Sequence, residues 1–229
     1  MTPVEPLEPI PETAPVFPLP SVVFFPHTIL PLHVFEPRYR AMVADAERGA
    51  GCIAMSLLKP GWESDKEGNP AYFEIGCLGR MSELTRTEDG RFYLKLAGIR
   101  KVALGGLVST SPYRTARIRP VVETIPDDFS PESREDLLKL LGACAVLVHE
   151  LSERPFPMVT VTEGLPYEPV VNSVCAHVGL SPEVKQSLLE LDDVRERCLK
   201  LTAFLEAHLQ RVVLARQSRA EGMETGPIN

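Results

Sequence analysis

Several things are scarce in this 229-residue chain, and each scarcity closes off a class of function. No stretch approaches the roughly 20 consecutive apolar residues of a membrane-spanning helix, so nothing here is expected to cross a bilayer. The five cysteines (52, 77, 144, 175 and 198) are odd in number and scattered, without a CxxC pair. Buried, reduced thiols in a cytoplasmic protein are expected rather than a disulfide framework. The opening MTPVEPLEPIPE carries Glu5, Glu8 and Glu12 where a secretory signal needs positive charge. GxGxxG and GxxxxGK[ST] are absent, and so are HExxH and GxSxG, which leaves no recognisable phosphate cradle, zinc hydrolase helix or nucleophile elbow. Basic excess is missing too. Residues 1–118 balance acid and base, and the net charge of −7 arises wholly within 119–229, a distribution that disfavours nucleic acid.

What is present divides near 120–130. Residues 1–15 are rich in Pro and Glu and read as an extended tail. From 16 to 122 the pattern is mostly period-two: a short strand Val22–Phe25 stopped by Pro26, an edge strand over Leu30–Val34 containing Pro31, a buried CIAMSLL strand (52–58), and two strands joined at Asp89-Gly90. Val102–Leu104, a turn at Gly105-Gly106 and Tyr113–Pro120 complete the set. One helix interrupts it, opened by Pro37, with Tyr39, Met42, Val43 and Ala46 on its inner face and Gly49 at its end. Residues 123–217 read as a helical bundle. Its first helix, capped at Ser130-Pro131, would bury Leu137, Leu138, Leu141, Cys144, Leu147 and Val148; its last would bury Val194, Cys198, Leu201, Leu205, Leu209 and Val212. Residues 154–169 read as a loop, and 218–229 as a flexible tail.

Few candidates for chemistry survive. Ser56 and Lys59 have the SxxK spacing, but on a strand the two side chains diverge, so a strand end is expected instead of a catalytic dyad. Cys175 and His177, two apart on a helix, face different directions and make a poor metal pair; no metal or cofactor is expected. Arg114, Arg117 and Arg119 sit together, Arg114 pointing opposite the others, and read as a solvated face. Trp62, the lone tryptophan, lies in the polar loop 59–70, with Tyr72 flanking it. A large aromatic in such a loop either folds back onto the β domain or awaits a partner.

The stretch FPLPSVVFFPHTILPLHVFEPRYR (17–40) resembles the start of the Lon protease N-terminal, substrate-binding domain. The likeness continues through EIGCLGRMSEL (74–84), DGRFYLKLAGIRKV (89–102), PYRTARI (112–118) and GLSPEVKQSLLELDDVRERCLKL (179–201). It implies an α+β protein: an N-terminal PUA-like β pseudo-barrel with one short helix, followed by a C-terminal α-helical bundle. The motif residues Phe17, Pro18, Pro20, Phe25, Pro26, Pro31, Phe35, Glu36, Arg38 and Tyr39 are then scaffold, the apolar ones in the barrel core and Glu36 and Arg38 tying the helix start to the barrel. The implied function is non-catalytic binding of unfolded or apolar polypeptide in protein quality control, as in stand-alone bacterial members that lack the ATPase and Ser–Lys protease modules. A distant likeness to the Lon-like domain of cereblon points the same way. Trp62 and Tyr72 are then the expected polypeptide contacts, a separate protease or chaperone is an implied partner, and a weak homodimer stays open. The alternatives are a PUA-like small-molecule or RNA-binding protein, or an ATP-independent hydrolase without a known motif.

Overall fold

The computed structural model describes residues 10–65, 69–152 and 164–224. Among these residues six strands and five α-helices follow in the order β1 (Thr13–Leu19), β2 (Ile29–Val34), α1 (Pro37–Arg48), β3 (Cys52–Leu57), β4 (Ile75–Arg86), β5 (Phe92–Ser109), β6 (Thr115–Pro120), α2 (Pro131–Ser152), α3 (Tyr167–His177), α4 (Pro182–Leu189) and α5 (Val194–Glu224). The protein is α+β. It forms two compact units, Met1–Glu123 with Cys175–Asp192, and Thr124–Val174 with Asp193–Asn229. The contiguous bundle expected over 123–217 is therefore interrupted, because α4 belongs to the sheet unit. There the Gln186 side-chain amide donates to Ile75 O at 3.0 Å.

In that unit the strand order is β2-β5-β4-β3-β1-β6, and β6 also pairs with β5. The extra pairing closes five strands into a ring and leaves β2 at an edge. β5 makes this possible by its length: its first half pairs with β2 and β4, its second with β6, and register shifts after Leu104 and Leu107 let it bend. The turn expected at Gly105-Gly106 is absent, since both glycines lie within the bulged strand.

Prolines occupy β1 itself. Val16 donates to Arg114 O on the β6 side, and Leu19 O accepts from Leu58 on the β3 side. Strand alternation then turns the imide nitrogen of Pro18 toward β6 beyond that strand's pairing, and that of Pro15 toward β3 before its pairing begins. Neither proline removes a ladder bond. The extended tail expected over 1–15 consequently ends earlier, at the start of β1; residues 1–9 lie outside the described ones. Pro31 does sit on the edge strand, and Pro37 does open α1.

Val22–Phe25 is not a strand. Val23, Phe24 and Phe25 are buried in an irregular segment that docks on β5: His27 donates to Gly98 O at 2.9 Å and Gly98 donates to Thr28 O at 2.8 Å. A Cβ at Gly98 would collide with Phe25 O, which explains glycine there.

β3 is buried along its whole length. Ile53 and Met55 face a cluster with Phe17, Phe24, Leu94 and Leu96, over which α1 lays Tyr39, Met42, Val43 and Ala46. Cys52 and Ala54 face a second cluster with Val16, Val102, Leu104, Ala116 and Ile118. Phe35 departs from the expected core role and is 55% exposed.

In the helical unit, α2 buries Leu137, Leu140, Ala145 and Leu147, while Leu138 and Val148 face out, so its apolar stripe is rotated from the expected one. The reason is polar. Asp136 is buried because Tyr167 Oη (3.3 Å) and Arg195 Nε (2.8 Å) both donate to its carboxylate. α3 begins at Tyr167 rather than after 169, its first turn fixed by Tyr167 N donating to Asp128 at 2.8 Å. Fully buried Arg197 donates to Asn172 Oδ1 at 2.7 Å, and Asn172 donates to Glu168 at 3.2 Å. α5 reaches Glu224, past the expected start of the tail at 218; residues 225–229 lie outside the described ones.

Candidate functional site

Two surfaces of the sheet unit have the character of a binding site. The first is the outer face of β2 and β5. Antiparallel register sets His33 opposite Tyr93 and Pro31 opposite Lys95. The His33 and Tyr93 rings stack 4.4 Å apart with planes 6° from parallel, and Phe35 lies 5.7 Å from His33. Phe35 and Tyr93 are both more than half exposed. Beside them a shallow depression of about 350 Å³ is lined by Pro31, Leu32, His33, Glu83, Tyr93 and Lys95, with Lys95 paired to Glu83 at 2.5 Å. Phe92, Leu94 and Leu96 point inward, so alternation alone puts these aromatics outside. Gly98 donating to Thr28 O fixes the β5 side of β2, which turns Pro31 to the free edge, where it offers no donor. Docking by strand addition is thereby blunted, and the ring-bearing face is left.

The second surface is a pocket of about 250 Å³. Val16 and Pro18 of β1, both buried, lie beneath it; Arg38 and Tyr39 come from the first turn of α1. Asn69, Thr110, Pro112, Tyr113 and Arg114 complete it. Arg114 donates to Pro70 O at 2.7 Å and lies 5.2 Å from the centre of the Tyr72 ring. Arg38 pairs with Glu36 at 3.1 Å and sits 4.6 Å from the Tyr39 ring centre. Glu36 and Arg38 thus join each other across the helix start. Burial raises the Tyr39 phenol, opposed by the neighbouring Arg38 charge. Burial, with help from a 2.8 Å hydrogen bond to Asp45, pushes Tyr113 up to about 12.

The expected contacts are placed as follows. Trp62 starts a 3-10 turn (Trp62–Ser64) and is 36% exposed. Tyr72 bridges to Leu58, closing the base of the loop, and packs beside the second core cluster under Arg114. Among the described residues these two rings make no contact with each other. The loop residues 66–68 lie outside the described ones. Ser56 is buried and donates to Phe73 O at 2.6 Å, a structural bond, while Lys59 lies near the Phe73 ring. Arg117 and Arg119 face solvent, whereas Arg114 is 8% exposed. The sequence did carry a signal for it: Arg114 is in phase with the buried Ala116 and Ile118. Among the described residues no group of three metal-ligating side chains assembles, and no helix is long and apolar enough to cross a membrane.

The family model described as the ATP-dependent protease La (LON) substrate-binding domain matches residues 13–207. Lon protease of Flavobacterium johnsoniae is 24% identical over 208 residues, covering 90% of this chain and 25% of that protein. Lon protease of Anaeromyxobacter dehalogenans is 28% identical over 224 residues, covering 97% of this chain and 26% of that protein. The chain thus spans about a quarter of the length of these relatives. Among solved structures, the Lon N-terminal domain protein from Xanthomonas campestris superposes with a TM-score of 0.58 at 23% identity, covering 83% of this chain and 97% of that one. The N-terminal domain of the Mycobacterium avium complex Lon protease gives 0.62 at 15% identity, covering 86% and 99%. The chain belongs to the Lon substrate-binding domain family.

Proposed function

We propose that this protein is a non-catalytic polypeptide-binding module of the Lon substrate-recognition type, taking unfolded or exposed apolar segments in cytoplasmic protein quality control. Family membership supplies the class. The observation that carries the reading is the exposed aromatic face of β2 and β5, where Phe35 and Tyr93 stand more than half in solvent beside stacked His33. Rigid rings in solvent offer large contact area at low conformational-entropy loss and tolerate many apolar side chains. The closed sheet is read as a PUA-like pseudo-barrel that holds this face rigid. Trp62 is read as a further contact and Tyr72 as a support of the pocket floor; a separate protease or chaperone is the proposed downstream partner.

Trp62 is the only tryptophan, so its fluorescence reports binding nearby. A model protein held unfolded by reduction and alkylation is expected to bind, and its native form is not. Replacing Phe35 and Tyr93 together by Ala should weaken binding about tenfold, the loss of roughly 1.4 kcal/mol of aromatic contact. Equal binding of native and unfolded forms would overturn the reading.

A further inference from the structure

Arg114 is a cation that folding has desolvated without supplying a full counter-charge. Among the described residues it makes one hydrogen bond, to Pro70 O, and no ion pair. A guanidinium carries five donors and keeps its charge at any ordinary pH. Burial is the largest influence lowering its pKa; Tyr39 and Tyr72 oppose this, Arg38 adds to it, and Asp65 exerts the weakest pull. A second guanidinium, Arg38 in the first turn of α1, lines the same pocket, its charge shared with Glu36 at 3.1 Å. Asn69 and Thr110 bring further donors to the rim, and none of the described residues lining the pocket is acidic.

From this arrangement the geometry points to the Arg38–Arg114 pocket as a site for a carboxylate, either the C-terminus or an acidic side chain of a bound polypeptide. A planar guanidinium fork matches a carboxylate with two parallel N–H···O bonds. The pocket, at about 250 Å³, is smaller than the roughly 300–1,000 Å³ typical for drug-sized ligands, so it suits one residue's terminal group. Pro112, exposed at the rim, offers apolar surface to the carbon that bears the carboxylate. The source of that carboxylate rests on the polypeptide reading above; the anion preference itself does not.

Two pairs of short apolar peptides test it, one pair differing only in a free or amidated C-terminus, the other in one internal Glu or Gln. Binding is followed by backbone-amide NMR, which also shows that each variant is folded. In at least one pair the carboxylate form should bind about tenfold tighter, and the preference should fade with added salt and below about pH 4. The pair that discriminates identifies the source. Arg114→Met should abolish the preference and Arg38→Gln should reduce it; the Arg38 variant keeps the test open if the other does not fold. Equal binding within both pairs overturns the carboxylate site but leaves polypeptide binding standing. Acetate perturbing the pocket amides while no peptide binds keeps the site and overturns the polypeptide reading. Inorganic phosphate binding more tightly than acetate overturns the assignment to carboxylate.

Discussion

Lys101, fully buried on β5, meets Leu191 O at 2.7 Å, Asp192 at 2.8 Å and Glu123 at 3.4 Å. Arg114, nearly as buried just before β6, meets the Pro70 carbonyl and the face of the Tyr72 ring but, among the described residues, no carboxylate. Both belong to the sheet unit, and taking either ion out of water costs several kcal/mol. For Lys101 the attraction of two carboxylates and a carbonyl offsets that cost. Its acids come from the chain leaving β6 and from the Leu191-Asp192 segment after α4, so the pairing pins distant stretches together. For Arg114 the offset is incomplete, and its remaining donors lie at a cavity. The contrast separates a cation that holds the fold together from one available to a ligand.

The contrast breaks most visibly through stability. Lys101→Met removes the buried cation that Glu123, 7% exposed, and Asp192 both face, and should cost about 3 kcal/mol in chemical denaturation. Arg114→Met removes a buried charge that pairs with no acid among the described residues, so unfolding free energy should hold or rise by about 1 kcal/mol despite loss of the bond to Pro70. A loss for Arg114→Met as large as that for Lys101→Met would place both cations in the same structural role. Asn69→Asp sets a carboxylate at the pocket rim. Because Asn69 is exposed, the gain should be a few tenths of a kcal/mol at most, while preference for carboxylate peptides should disappear through occupation of the site.

How far these features were legible in the sequence depends on whether they are local. Helix α1, the Asp89-Gly90 hairpin, the buried CIAMSLL strand and Pro31 on an edge follow from period and turn chemistry within a few residues. Ring closure does not: β6 pairs with both β1 and β5, and only bulges in β5 allow it, where the glycines suggested a turn. The irregular Val22–Phe25 segment misled for a similar reason. Its apolar run is a strand signal, yet Phe25 O packs closely on Gly98, far along the chain, and His27 and Thr28 just after it hydrogen-bond to that same glycine. The α2 stripe was misjudged because Asp136 is buried by partners from α3 and α5. For the site, Trp62 and Tyr72 were visible as aromatics flanking a polar loop, and Arg114 as an arginine in phase with core residues. Phe35 was hidden by its motif, whose other apolar members largely do pack inward. The pocket requires β1, α1 and the residues around 69 and 110–114 to converge, which no single segment announces.

The smallest effect concerns which pocket groups are already committed. Tyr113 Oη donates to Asp45 Oδ2 at 2.8 Å, and Asp45 also pairs with Arg48. Burial chiefly, then the bond and charge of Asp45, raise this phenol from 10.0 to about 12. A pKa raised on folding means that the protonated group stabilises the native state. That contribution is intact below pH 10 and is lost as pH climbs through about 12. Tyr113→Phe should therefore flatten the fall in stability across this alkaline window relative to the parent chain, and remove one late-titrating group from an ultraviolet phenolate titration. Because its hydroxyl is committed to Asp45, the same variant should leave carboxylate-peptide affinity within about twofold, where Arg114→Met abolishes the preference. A tenfold loss on Tyr113→Phe would mean that the hydroxyl leaves Asp45 for the ligand, and the division between committed and available groups would have to be redrawn around Arg114 and Tyr113 together.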